Sequence, residues 1–236
     1  MMTKFINNSN ATNPIICALD TTDIAIAKKV AQSVSCSVGA IKLGLEFFTA
    51  NGAAGGAQVA KAGLPVFLDL KFHDIPNTVA GAIRATKDIN AFMLTVHTQG
   101  GKAMMQAAVK AAKDLPNKPL MVGVTVLTSL DKSDLEDIGV KNNLLDQVSK
   151  LADLAQESGL DGVVCSPHEI EILRARCGAD FKLVVPGIRP QGSAIGDQKR
   201  VMTPKEALAK GADYLVIGRP ITAAENPALA ARNILY

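Results

Sequence analysis

The sequence predicts an α/β protein folded as a single (β/α)8 TIM barrel, and three observations carry that prediction. Eight short apolar runs recur along the 236 residues, amphipathic helical stretches separate them without a linker, and polar or ionisable residues close nearly every run. Continuous apolar runs between helices indicate parallel strands covered on both faces. A barrel of such strands gathers its functional groups at their C-terminal ends. A doubly wound open sheet is the rival, but it would more naturally carry an early G-x-G-x-x-G, and none follows the first run.

In chain order the predicted strands are 15–19 (IICAL), 40–43 (AIKL), 65–70 (PVFLDL), 91–97 (AFMLTVH), 120–126 (LMVGVTV), 162–165 (GVVC), 182–185 (KLVV) and 214–217 (YLVI). Between them, Leu144, Val148, Leu151, Ala152 and Ala155 fall at helical spacing. Pro204 opens a further helix and Gly211 closes it, the expected asymmetry of helix ends. At Gly63, Gly159 and Gly211 a helix runs through glycine into a strand, which suits the left-handed turn after a helix. Residues 1–13 are polar and Asn-rich with no apolar stretch, so they read as a flexible N-terminal tail rather than a secretion signal. The barrel domain then spans 14–236.

Composition narrows the function classes. Apolar residues are 48% of the chain, enough for a large core, and charged residues are 20%. A net charge of +3 with dispersed Lys and Arg argues against nucleic acid as a partner. No apolar run approaches membrane-spanning length. Cys17, Cys36, Cys165 and Cys177 form no CxxC pair, and Cys17 and Cys165 read as small buried hydrophobes inside strands. That usage fits a reducing, cytoplasmic setting. No histidine or cysteine spacing supports a metal site.

The densest chemistry lies in LDLKFHDIPNT, 68–78. Asp69 and Lys71 are two apart on one strand, so both side chains point into the barrel while Leu68 and Leu70 pack outward. Asp74 follows in the loop, where Pro76 is expected to stop any immediate helix. Burying such charge is costly unless it is paired or used. A salt-bridged strand end and an active site are both consistent with the spacing. Asp20 ends the first strand, Lys42 lies on the second, and Thr128-Ser129 follow the fifth. Arg189 after Gly187 and Arg219 after Gly218 close strands seven and eight, the two loops from which this fold often builds a phosphate site. There a guanidinium offers a charged fork and Gly218 lets an oxyanion approach the backbone. His73 reads as structural, and His97 as either a site-lining or a hydrogen-bonded core residue. His168 reads as part of a helix start.

The run Asp69-Leu70-Lys71-Phe72-His73-Asp74-Ile75-Pro76-Asn77-Thr78 resembles the signature of the orotidine 5'-phosphate decarboxylase family. Its D-x-K-x-x-D core is shared with a wider barrel superfamily, and Ile-Pro-Asn-Thr narrows the match. The resemblance extends through Ala18-Leu19-Asp20, Ile41-Lys42, Leu127-Thr128-Ser129, 184–190 (VVPGIRP), Asp197-Gln198 and 211–222 (GADYLVIGRPIT). The segment 94–101 is less like the family's usual form.

This resemblance implies decarboxylation of orotidine 5'-monophosphate to UMP and CO2, the last step of de novo pyrimidine nucleotide synthesis, with no cofactor and no metal. It implies a homodimer with shared active sites. Lys42, Asp69, Lys71 and Asp74 would form an alternating charged array, with Lys71 the proton donor and Asp74 reaching into the partner's site. Thr78 would cross over likewise. Asp20 and Lys42 would contact the ribose, and Thr128 and Ser129 the pyrimidine. Arg189, Gln198, Gly218 and Arg219 would hold the phosphate, and closure of 190–199 would use its remote binding energy. Two other readings compete: a sugar-phosphate enzyme of the same superfamily using D-x-K-x-x-D around Mg2+, and a catalytically silent phosphate-ligand binder.

Overall fold

The computed structural model describes residues 13–190 and 202–235. Eight parallel strands close into a barrel in sequential order, with β8 returning to pair with β1. They are β1 (Ile15–Ala18), β2 (Ala40–Gly44), β3 (Val66–Phe72), β4 (Met93–His97), β5 (Leu120–Val124), β6 (Gly162–Val164), β7 (Lys182–Val185) and β8 (Tyr214–Ile217). Every predicted strand is present, with ends shifted by at most two residues.

Around them lie α1 (Ile24–Ser33), α2 (Leu45–Ala60), α3 (Pro76–Ala85), α4 (Gly101–Lys113), α5 (Lys132–Asp137), α6 (Leu144–Glu157), α7 (Ile170–Cys177), α8 (Pro204–Ala209), α9 (Arg219–Thr222) and α10 (Pro227–Asn233). Helix α6 buries Val148, Leu151, Ala152 and Ala155 on the stripe its spacing predicts, and Asn143 caps its N-terminus. Thr203 and Glu206 form a reciprocal capping box that spans Pro204. Gly63, Gly159 and Gly211 all adopt positive φ, the left-handed turn expected there. A short turn, Pro167–Glu169, carries His168 into α7.

One local expectation fails at Pro76. The proline does not stop a helix but opens α3, occupying its first turn, where its missing N–H costs nothing. The residue before it, Ile75, keeps the extended backbone a proline demands.

Side chains divide by strand alternation into two cores. Leu43, Leu68, Leu70, Leu94 and Val96 face the helices, in the large outer cluster. Ile16, Ala18, Ala40, Phe67, Met93, Val122, Val184 and Val216 fill the barrel interior as a separate apolar plug. Two residues further along the same alternation, Ala40 gives way to Lys42, Phe67 to Asp69 and Met93 to Thr95. The polar layer therefore sits directly above the plug, at the C-terminal mouth. Cys17, Cys165 and Cys177 are buried, and all four thiols are free. Burial, aided by Asp20, pushes the Cys17 thiol up to about 12, so it is inert packing in β1.

Of the expected tail, only Asn13 lies within the described residues. Its amide donates to the Ser37 carbonyl at 3.0 Å and its side-chain oxygen accepts from the Ile15 N–H at 2.9 Å. No helix among the described residues is long and apolar enough to cross a membrane.

Candidate active site

Four ionisable side chains form a continuous line across the mouth of β1, β2 and β3. The Lys42 ammonium lies 3.2 Å from Asp20 and 3.8 Å from Asp69, and the Lys71 ammonium lies 2.9 Å from the other Asp69 oxygen. Charge thus alternates Asp20, Lys42, Asp69, Lys71. Side-chain exposure runs from 56% at Asp20 through 11% and 13% at Lys42 and Asp69 to 30% at Lys71. The dry centre of the line is doubly paired, which offsets the cost of burying it. Gly44 makes room for it: a Cβ there would stand 2.8 Å from the Lys42 ammonium.

The third strand departs from plain alternation just where the array is built. Leu68 pairs with Leu94 and Phe72 with Val96, so Asp69, Leu70 and Lys71 together face the single residue Thr95. This bulge bends the strand and re-aims side chains. Lys71 takes up the irregularity at φ 52°, a left-handed conformation uncommon outside glycine. Its N–H then bonds to the Thr95 hydroxyl at 2.8 Å, while that hydroxyl donates to Asp69 at 3.1 Å. The sequence by itself assigns Thr95 no role. The signal available was its place two residues after Met93, on the inward alternation opposite Asp69.

Asp74 and Thr78 do not join this cluster. Both are exposed, and Asp74 turns back to accept the Ile75 N–H at 2.6 Å. His73 is exposed and stacks on His97, ring centroids 5.4 Å apart. The His97 Nδ1 is buried with no hydrogen-bond partner among the described residues. Burial first, then the nearby His73 and Lys71, hold its imidazole below the usual 6.5. Of the two readings left open for His97, the hydrogen-bonded core residue is the one this geometry disfavours.

On the other side of β1 from the array, Arg189 follows β7 and Arg219 opens α9 after β8. The Arg189 backbone is fixed by a bond from its N–H to Met202, and its guanidinium bonds the Ile188 carbonyl at 2.9 Å. Burial, and then repulsion from Arg219, lower the Arg189 pKa. Two cations close enough to repel invite an anion of more than one charge. Gly218, between β8 and Arg219, lies beside Asp20 and Ala18. Thr128 is half-buried and Ser129 exposed, both just after β5. Gln198 and most of 190–199 lie outside the described residues.

The chain matches the model of the "Orotidine 5'-phosphate decarboxylase / HUMPS family" over residues 13–234. It belongs to that family. An orotidine 5'-phosphate decarboxylase of Paramagnetospirillum magneticum is 56% identical over 227 residues, covering 94% of this chain and 97% of the relative. Its counterpart in Rhodospirillum rubrum is 55% identical over 228 residues, covering 94% and 92%. Among solved structures, the family enzyme of Lactobacillus acidophilus superposes with a TM-score of 0.83 at 34% identity, covering 94% of this chain and 97% of that one. Membership agrees with the resemblance carried by the Asp69–Thr78 motif.

Proposed function

We propose that this chain decarboxylates orotidine 5'-monophosphate to UMP and CO2, the last step of de novo pyrimidine nucleotide synthesis, without cofactor or metal. The observation that carries the reading is the alternating line Asp20–Lys42–Asp69–Lys71, with Arg189 and Arg219 at the ends of the strands that follow round the same barrel mouth. Family membership supplies the reaction.

The chemistry suits these residues. When the bond from C6 to the carboxylate breaks, its electron pair stays on C6, which has little resonance relief. Preorganised charge must stabilise it. The Lys71 ammonium serves as that charge and then gives its proton to C6. Asp69 holds Lys71 from one side and Lys42 from the other, so the array needs little reorganisation as the carbanion forms. Asp20 and Lys42 take the ribose, Thr128 and Ser129 the pyrimidine, and Arg189, Arg219, Gly218 and Gln198 the phosphate. Gln198 has this role on the family motif alone.

Asp74 and Thr78 act in the partner's site of a homodimer. Their exposure away from the array supports this, as do the apolar Ile75, Leu45 and Leu127, which stand exposed after strand ends on the same mouth. Ile75, at 67%, is the most exposed large apolar side chain among the described residues. The enzyme works in the cytoplasm.

The test is direct. Purified chain, with chelator present, is given orotidine 5'-monophosphate while ultraviolet absorbance and CO2 release are followed. Turnover unaffected by chelator is expected; its absence, or its loss on chelation, would defeat the proposal.

A further inference from the structure

We infer that Thr95 is the positioning residue of the charged array, locking both Asp69 and the backbone of Lys71 through one hydroxyl. The inference rests on the decarboxylase reading for its kinetic consequence, and on geometry alone for the contact itself.

Three observations converge on this side chain. Thr95 is fully buried on the inward face of β4, where an unpaired hydroxyl would be costly. The β3 bulge sets three residues against it, so Thr95 meets both members of the Asp69–Lys71 pair. Its hydroxyl both donates and accepts. The single proton goes to Asp69 Oδ1 at 3.1 Å and a lone pair takes the Lys71 N–H at 2.8 Å.

That second bond matters because Lys71 has no regular ladder to hold it. At φ 52° a residue with a side chain is held in a sparsely populated conformation, which persists only where its surroundings over-determine it. The Thr95 bond is one such constraint. The first bond fixes the carboxylate. Asp69 Oδ1 accepts both the Lys71 ammonium and the Thr95 hydroxyl, leaving Oδ2 turned to Lys42. Without the hydroxyl, Asp69 can rotate about its side-chain torsions and Lys71 can relax toward an ordinary strand. Both movements shift the ammonium from its place without removing any group that contacts substrate. Thr95 itself touches neither side of the reaction in this account; it acts through its neighbours.

The kinetic signature follows. Thr95→Val keeps the shape and removes both hydrogen bonds, whereas Thr95→Ser keeps the hydroxyl. Misplacement of a reacting group by a fraction of an ångström to 1 Å costs about 10- to 100-fold in rate. Thr95→Val should therefore lower kcat by about that factor while KM and UMP affinity stay within about twofold. Thr95→Ser should recover most of the loss. A merely structural threonine would lower the thermal midpoint without this split. Unchanged kcat in Thr95→Val, a loss expressed in KM, or a serine variant as impaired as valine would each overturn the inference. If the valine variant does not fold, Thr95→Ala is judged by the same criteria.

Amide hydrogen exchange at Lys71 reads the contact without turnover. It should be slow in the unmodified chain and in Thr95→Ser, and at least about tenfold faster in Thr95→Val. An unchanged Lys71 exchange rate overturns the positioning contact. A chain that protects Lys71 yet never decarboxylates the nucleotide defeats the functional reading instead.

Discussion

Gly44→Ala isolates the placement of one charge. The backbone at Gly44 is extended, at φ −98° and ψ −170°, so alanine meets no torsional penalty there. Its new Cβ would stand 2.8 Å from the Lys42 ammonium and 3.5 Å from an Asp20 oxygen. Ordinary contact begins near 3.4 Å, so the ammonium must retreat by about 0.6 Å. At an effective dielectric of about 20, that retreat from a carboxylate 3–4 Å away weakens the attraction by about 0.6–0.8 kcal/mol. Asp20 is largely exposed and its share is screened, so the combined loss is about 1 kcal/mol, a factor of about five in rate. Stability should change little, because the about 0.4–1 kcal/mol gained by restricting the unfolded chain is offset by the about 1 kcal/mol lost from the ion pairs. The assay pairs kcat/KM on orotidine 5'-monophosphate with a thermal melt. Wild-type kcat/KM in the variant would show that the Lys42 position does not limit the array, and a lowered midpoint would show that the backbone, not the ammonium, absorbs the clash.

Further outcomes are expected elsewhere. In the proposed homodimer, Lys71→Ala and Asp74→Ala should each be nearly inactive; random reassociation should give about a quarter of wild-type activity, since about half the dimers would be hybrids with one intact site. Activity no greater than the parental mixture would remove Asp74 from the partner's site. Gly162→Ala would drive a Cβ to 2.2 Å from the Lys182 carbonyl oxygen across the β6–β7 pairing. It should cost about 1–3 kcal/mol, lowering Tm by about 2–4 °C per kcal/mol in differential scanning calorimetry. A Tm unchanged to within a degree would contradict the packing. Because His97 titrates lower in the fold than in the unfolded chain, the unfolded state binds the extra proton first. Stability should fall as pH drops through 6.5 toward the lower folded value. His97→Asn should flatten that part of a Tm-versus-pH curve, and an unaltered slope would exclude His97 as its source.

The fold was legible because a barrel writes itself as apolar runs that repeat, each closed by a polar residue. Of the candidate site, the grouping of Lys42 with Asp69 was legible, because strand alternation turns both inward, whereas Asp20 follows the end of β1 and Lys71 reaches the group through the bulge. What escaped was non-local or torsional. Nothing in the letters LDLKF announces that Lys71 adopts positive φ, because the bulge depends on how β3 registers against a strand some 25 residues away. Thr95 escaped for the same reason, being an ordinary inward threonine until the bulge sets two charged residues upon it. Pro76 was misread because a proline both ends and begins helices, and only the direction of the following chain decides which.

The apolar plug of Ile16, Phe67, Met93, Val122, Val184 and Val216 also governs traffic. A barrel stoppered from below is open at its other mouth, so in the proposed reaction nucleotide, product and carbon dioxide share one threshold. UMP must then vacate before the next substrate can seat, and it should compete with substrate in steady-state inhibition rather than act beside it. Release of the large product, not escape of the small gas, becomes the step at which crowding in the doorway is felt.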